Sequence, residues 1–403
     1  MSVHNTPTYF KSSLGLKAEI EPLVAADYRS PIVDRMKEND YRLDLGGALS
    51  FRLAREFGFC YGVDKAVDMA YEARHKFPDR RILLTYEIIH NPRVNARLRE
   101  MGIEFLSGGL KGALDTADIT AKDVVLLPAF GVPADYLERL RATGCVLVDT
   151  TCGSVVHVWK RVERYARDGF TSLIHGKALH AETLATVSQA HKLDGPTIVV
   201  LDRTEAALLC DVITGGKPLE ALAQLGPLAF SKNFDPSRHL DRIGAANQTT
   251  MLASESLEIA AMVGRALEKR HGAENIAEHF RSFDTICSAT QERQDAIVSL
   301  VESGELDLML IVGGYNSSNT GHLLEICAGK VPAFHICDAD EVISLDRLRH
   351  KPVDRKEPVE ATDWLPAKRP LTVGITAGAS TPNKAIGDTI ERLAGLMGVG
   401  GAV

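Results

Sequence analysis

Three of the seven cysteines stand where a thiol can do chemistry. Cys60 lies in EFGFCYGVDKAVDMA (residues 56–70), between Gly58 and Gly62, where Val63, Ala66, Val67 and Ala70 begin a helical repeat. Cys152 follows VLVDTT and precedes Val155, Val158, Trp159 and Val162 at the same spacing. Cys287 lies in DTICSATQERQ (284–294), again just before a helical stretch. A helix N-terminus offers unpaired N–H groups and the positive end of the macrodipole, and both favour thiolate over thiol. Cys145, Cys327 and Cys337 sit within apolar strand or helix patterns and Cys210 follows AALL, so these four read as small core residues. The cysteine count is odd, the spacing is wide and no CxxC pair occurs, which fits neither a disulfide framework nor a zinc finger.

One chemically placed cysteine falls in each third of the chain. If each third is an α/β lobe, three thiolates can meet only at a central point. Such a set suits an iron–sulfur cluster in which one iron lacks a protein ligand. By analogy with catalytic zinc, an open coordination position marks a catalytic centre rather than a structural one. The same spacing also admits three unrelated cysteines, one or two of them redox-sensitive.

The elements that must position these groups alternate. Short apolar runs at RILLTYEII (81–89), DVVLLPA (123–129), CVLVD (145–149), TSLI (171–174), TIVVL (197–201), LDLMLIV (306–312) and LTVGIT (371–376) read as strands covered on both faces. Helical patterns and short polar loops separate them, with Pro92 and Pro133 where first-turn prolines belong. The pattern predicts an α/β fold with parallel sheets. RLRHKPVDRKEPVEATDW (347–364) reads as a surface excursion, and residues 203–245 as a mixed insertion without an assigned role.

Ligands of α/β sheets bind at the carboxyl ends of strands, and the unusual polar residues gather there. His90 ends TYEIIH, and His175 ends TSLIH with His180 and Glu182 just beyond it. ANQTT (246–250), NSSNT (316–320) and AGAS (377–380) each precede a helix. Any one such loop is accounted for by ordinary N-capping. Five or more converging would hold a phosphate or diphosphate through N–H groups and neutral side-chain donors, without a cluster of lysine and arginine.

The 403 residues are 45% apolar and 25% charged, with a net charge of −7, enough for a globular protein of two or three domains. With no long basic run, nucleic acid is a poor partner. No apolar run approaches a membrane span, and the N-terminus has no leader pattern, so a cytoplasmic protein is expected. No GxGxxG follows a strand and no Walker loop is present, so no nucleotide or flavin site is evident.

The segments FGFCYGVDKAV, EIIHNPRVNARL, VDTTC, IHGKALHAETLATVSQA, ANQTTML, TICSATQERQDA, VGGYNSSNTGHLLEI and TAGASTP resemble those of the 4-hydroxy-3-methylbut-2-enyl diphosphate reductase family, in its longer cyanobacterial and plant-plastid branch. The resemblance runs from about residue 50 to the C-terminus. It implies three pseudo-symmetric α/β lobes with parallel sheets around a central [4Fe–4S] cluster, held by Cys60, Cys152 and Cys287 with one open iron. It implies an N-terminal extension (1–45), a first lobe (46–151) carrying Cys60, a second (152–285) opening on Cys152 and a third (286–370) opening on Cys287. The last strand and helix (371–403) would return to the first lobe. His90, His180, Ser317, Ser318, Asn319 and Ser380 match diphosphate-binding positions, Glu182 a proton-delivering glutamate, and Thr249 a threonine near the substrate hydroxyl. Thr290, in the loop after the third cysteine, joins the substrate-binding set.

The implied reaction removes the hydroxyl of the allylic diphosphate as water, with two electrons and two protons, giving isopentenyl and dimethylallyl diphosphates. Electrons would come from a separate protein such as a ferredoxin or flavodoxin. Three departures stand out: Gly153 and Ser154 replace the usual proline context after Cys152, His157 replaces a lysine, and AFG (129–131) lacks the histidine of the shorter bacterial branch. Two other readings remain: a three-cysteine cluster enzyme of similar architecture such as quinolinate synthase, and a cluster-free thiol redox sensor or binding module.

Overall fold

The β-branched runs become strands because both of their faces are covered. Val124–Leu127, Val146–Asp149, Thr171–His175 and Leu308–Val312 are buried at every position, as parallel strands between helices must be. The computed structural model describes residues 8–106, 116–283 and 285–402. Their contacts divide into two compact units. The described residues of Met1–Ser12, Phe77–Ile88 and Gly102–Cys287 form the first, and those of Ser13–Lys76, Ile89–Met101 and Ser288–Val403 the second.

The first unit holds two all-parallel sheets. One has the spatial order Tyr9–Phe10, Val146–Asp149, Val124–Leu127, Ile82–Leu84, Ile103–Phe105. The other runs Phe280–Ser282, Ile243–Asn247, Thr171–His175, Thr197–Val200. The second unit holds a five-stranded sheet ordered Ala333–Ile336, Leu308–Val312, Leu371–Ala377, Leu49–Leu53, Arg42–Leu45, parallel except for its last, antiparallel pair. The three principal sheets realise the α/β architecture that the strand pattern predicts.

The grouping of segments differs from the expected lobes. Residues 46–76, expected with 77–151, belong to the second unit. Leu49–Leu53 pairs in parallel with Leu371–Ala377, so the final strand does return to the strand that precedes Cys60. That sheet also contains Leu308–Val312 and Ala333–Ile336, the strands of the expected third lobe. One core joins them: Leu49, Phe51 and Leu53 pack with Leu308, Leu310, Val373 and Ile375. Parallel pairing needs crossover connections, so chain order alone does not reveal which strands share a sheet.

The segment expected as an extension is built into both units. Residues 1–7 and Val403 lie outside the described residues. Tyr9–Phe10 adds an edge strand to the first unit. In the second, the helices Lys17–Tyr28 and Pro31–Glu38 bury Ile20, Val33 and Met36 completely. Glu72, 1% exposed, anchors the entry to these helices: its carboxylate accepts from Ser13 Oγ at 2.7 Å, Leu14 N at 2.8 Å and Leu16 N at 2.9 Å.

Two further segments gain a role. Residues 203–245 supply the helix Arg203–Ile213, capped by Asp202, and lead into the interior strand Ile243–Asn247. Residues 347–364 form an antiparallel hairpin, Arg347–His350 with Val359–Thr362, which buries Leu348 and Trp364 against the second unit's core. Pro92 opens the helix Pro92–Glu100, whereas Pro133 stands one position before Ala134–Ala142, as its N-cap. Among the described residues no helix is long and apolar enough to cross a membrane.

Glu72→Ala removes the acceptor of the Leu14 and Leu16 N–H groups. The expected outcome is a loss of about 1–3 kcal/mol in stability, together with earlier proteolytic cleavage near residues 13–16. Denaturant titration and limited proteolysis of wild type and variant check it.

Candidate active site

Each chemically placed cysteine follows a strand of a different sheet. Cys60 comes after Leu49–Leu53, Cys152 after Val146–Asp149 and Cys287 after Phe280–Ser282. All seven cysteines are thiols rather than disulfides. The chain from Leu53 to Cys60 runs against the end of Leu371–Ala377: Ala54 N donates to Ile375 O at 3.0 Å, Gly58 N to Ala377 O at 3.3 Å and Cys60 N to Ala379 O at 3.2 Å. Gly58 has φ +69°, and a Cβ there would come within 2.6 Å of Asn383 Oδ1, so both backbone conformation and space require glycine. Gly62 instead lies in the first turn of the helix Tyr61–Lys76.

Cys152 is the N-cap of Gly153–Arg167, and its N–H donates to Ala129 O at 2.7 Å. Its extended backbone (φ −64°, ψ 143°) and the open space around a Cβ on Gly153 would suit proline at that position, so the departure at Gly153 leaves the cysteine's setting intact. Cys287 directly precedes Ser288–Glu302. Thr285 Oγ1 donates to Asn247 Oδ1 and accepts from Asn247 N at 3.1 Å, which ties this loop to the interior strand of the four-stranded sheet. Burial pushes the other thiols up: Cys145 above its ordinary range, Cys210 and Cys337 to about 11, and Cys327 to about 12. These four are the inert set.

The first unit gathers His180, Glu182 and Thr249. Glu182 lies in the first turn of Ala181–His191 and is 2% exposed. Its carboxylate accepts from Thr249 N at 2.6 Å and from Thr249 Oγ1 at 2.9 Å. Burial raises its pKa from an ordinary 4.5 to about 7, against the lowering effect of the two Thr249 bonds. His180 caps the same helix: Glu182 N donates to His180 Nδ1 at 3.2 Å, which assigns the neutral ring's proton to Nε2. Phe130, of the loop lacking a histidine, sets its ring edge-on to His180 at 6.4 Å between centroids.

Gln248, 2% exposed, is a positioning residue that sequence reasoning passed over. Its Oε1 accepts from Lys177 N at 3.1 Å and Thr183 Oγ1 at 3.3 Å, and its backbone N donates to His175 O at 2.8 Å. It locks the loops after two adjacent strands together, and so fixes Thr249 against Glu182. Its place inside ANQTT was the available signal.

The second unit gathers His90, Ser317, Ser318, Asn319 and Ser380 from three loops. Ser380 Oγ donates to His90 O at 3.2 Å, and Asn91 Nδ2 donates to Ser380 O at 2.9 Å. Asn319 Oδ1 accepts from Ala379 N at 2.9 Å. A Cβ on Gly314 would lie 2.8 Å from His90 O, so NSSNT and the His90 loop are in close contact. Ser317 caps Ser318–Cys327, and Ser317, Ser318 and Asn319 are all buried. Asn319 Nδ2 is buried without a hydrogen-bond partner, so its donor capacity is unused within the chain. Thr290, expected in a loop, is buried in the first turn of Ser288–Glu302.

The family model of the LytB protein matches residues 51–394. The chain belongs to the LytB family. A 4-hydroxy-3-methylbut-2-enyl diphosphate reductase from Gloeobacter violaceus is 47% identical over 397 residues, covering 97% of this chain and 93% of that one. One from Thermosynechococcus vestitus is 44% identical, covering 99% and 97%. Among solved structures, the (E)-4-hydroxy-3-methyl-but-2-enyl diphosphate reductase described as the terminal enzyme of the non-mevalonate pathway matches with a TM-score of 0.53 at 26% identity, over 86% of this chain and 99% of that one. The Plasmodium falciparum E-1-hydroxy-2-methyl-but-2-enyl-4-diphosphate reductase matches with a TM-score of 0.59 at 21% identity, over 85% and 87%, and shares the LytB fold.

Glu182 makes stability depend on pH in a defined direction. Its folded pKa, about 7, lies above the ordinary 4.5, so the folded state keeps the proton while the unfolded chain loses it. The contribution is greatest below about pH 4.5, declines as pH rises to about 7 and is flat above. The decline amounts to about 3 kcal/mol at most. Denaturant midpoints measured across this range should show the decline in wild type and its absence in Glu182→Gln.

Proposed function

We infer that this protein reductively dehydroxylates (E)-4-hydroxy-3-methylbut-2-enyl diphosphate to isopentenyl and dimethylallyl diphosphates, the last step of the methylerythritol phosphate route to isoprenoids. One observation carries the mechanism within a LytB-family chain: a buried carboxyl, Glu182, that holds its proton close to neutral pH and is fixed by Thr249. Relatives covering 97% or more of the chain favour this substrate over that of quinolinate synthase.

Cys60, Cys152 and Cys287 fit an iron–sulfur centre by their chemistry: three thiols outside disulfides, each directly before a helix and each following a different sheet. Bound by them, a [4Fe–4S] cluster with one open iron supplies single electrons and a Lewis acid. The rest falls to the chain's own groups. Glu182 donates a proton to the departing hydroxyl, which leaves as water, and a carboxyl with a pKa near 7 can give that proton and regain it from solvent. Thr249 Oγ1 holds the carboxyl in place and hands hydrogen bonding on toward the substrate hydroxyl.

The diphosphate is gripped by neutral donors: Nε2–H of His180, the Nδ2 group of Asn319, the hydroxyls of Ser317, Ser318 and Ser380, and His90, with Thr290 at the start of its helix. Neutral donors and helix N-termini bind an anion without the basic cluster this acidic chain lacks. Holding the anionic end fixes the reacting carbon, which converts an encounter into an intramolecular step. Electrons arrive from a separate carrier such as a ferredoxin or flavodoxin, and the chain works in the cytoplasm.

Anaerobic reconstitution, iron and sulfide analysis, electron paramagnetic resonance and turnover with the allylic diphosphate test this reading. Wild type is expected to turn brown and consume the substrate, while a colourless protein would favour the thiol sensor. Glu182→Gln should keep the cluster and bind substrate but lose roughly 10²–10⁴-fold in turnover; wild-type rates would remove its proton role. Cys60→Ser, Cys152→Ser and Cys287→Ser should each lose or weaken the cluster, and full iron content in any of them would point to another ligand.

A further inference from the structure

Arg293 lies in Ser288–Glu302, the helix that begins directly after Cys287, and is 3% exposed. Its guanidinium gathers three successive carbonyls of the loop that leads into Cys60. Nη2 donates to Gly58 O at 2.8 Å, Phe59 O at 3.2 Å and Phe57 O at 3.4 Å, and Nε donates to Gly58 O at 3.2 Å. Nη1 returns to its own helix, to Ala289 O at 2.7 Å. Three consecutive carbonyls can turn toward one point only if the chain curls, and Gly58 at φ +69° supplies the curl.

All five hydrogen bonds end on backbone carbonyls and none on a carboxylate. A buried cation is costly, and carbonyl dipoles share the offsetting of that cost with the Asp64 carboxyl, whose proton affinity the Arg293 charge lowers. The loop it holds leads straight to a thiol proposed to bind as thiolate. The helix it stands on starts at a second such thiol.

We propose that Arg293 is a positioning residue for the iron–sulfur centre, fixing the Cys60 loop in its ligating shape and balancing the negative charge of the cluster there. The inference rests on the cluster reading above and assigns two separable effects to one side chain. The fork of donors holds the loop, and so slows loss of the cluster. The positive charge favours the more negative, reduced cluster, and so raises its midpoint potential.

Two variants separate the effects. Arg293→Gln removes the charge and most of the fork. Arg293→Lys keeps the charge and loses the fork. Circular dichroism and thermal unfolding of the cluster-free chain report whether each folds. Cluster loss to an iron chelator and a redox titration followed by electron paramagnetic resonance are then measured on the reconstituted proteins. Arg293→Gln is expected to lose its cluster about 10–100-fold faster and to show a more negative midpoint potential. Arg293→Lys is expected to lose its cluster faster than wild type while keeping the wild-type potential. A wild-type lifetime and potential in Arg293→Gln would overturn the proposal, and equal potentials in the two variants would overturn the charge role. Should Arg293→Gln fail to fold, a wild-type cluster lifetime in Arg293→Lys overturns the positioning role. Failure of wild type to take up iron and sulfide would sink the cluster itself, an outcome distinct from all of these.

Discussion

Leu371–Ala377 has a parallel neighbour on each side, Leu308–Val312 and Leu49–Leu53, and that pairing governs the polar loops of the second unit. Parallel strands release their loops at the same edge, so the segments after all three strands emerge together. The hydrogen bonds continue past the strand end: Gly58 N reaches Ala377 O, Cys60 N reaches Ala379 O, and Asn319 takes the N–H of Ala379. One further residue along, Ser380 reaches His90. A shift of the last strand's register by one residue would reverse its buried faces and detach all these contacts at once. The seating of Cys60 and the serine and asparagine cradle are thus consequences of one ladder.

The first unit works under a different constraint, the sealing of a carboxyl from water. Desolvation raises the pKa of Glu182 and favours its protonated form. The two bonds from Thr249 favour the carboxylate and pull the balance back toward neutrality. Thr249 can do this only because Gln248 holds its loop against Lys177 and Thr183 at the end of the neighbouring strand. The setting of this carboxyl therefore depends on a buried amide that acts through Thr249. His180 belongs to the same construction, since capping by Nδ1 leaves the opposite nitrogen as the donor.

What the sequence made legible followed from local chemistry. The β-branched runs announced their strands, and the cysteines and small polar residues announced themselves by standing between a strand and a helix. IGAAN (243–247) did not, because Ile243 is its one branched residue and the rest are small. Gly244 is required there by Tyr165, whose ring atoms would lie 2.5 Å from any Cβ, and that neighbour is far away in the chain. The same reason hid the grouping of residues 46–76 with the C-terminal strands, and the burial of Ile20, Val33 and Met36 in a segment that reads as an extension. Arg293 was hidden more deeply, since its partners are carbonyls, which carry no residue identity.

The net charge of −7 raises the question of how such a chain would manage an anionic substrate together with the proposed cluster. Surface lysines and arginines could attract both, but in water such charges are screened and hold nothing in register. Groups whose positions are fixed by the backbone suit the proposed sites better: helix starts at Cys60, Cys152, Cys287 and Ser317, and buried neutral donors such as Asn319 Nδ2. Dipoles held in place need no reorganisation when charge develops, which is the condition under which they stabilise a reacting anion most. For the proposed centre, a full positive charge matters most where negative charge is concentrated, and the buried Arg293 guanidinium behind the Cys60 loop is placed to supply it.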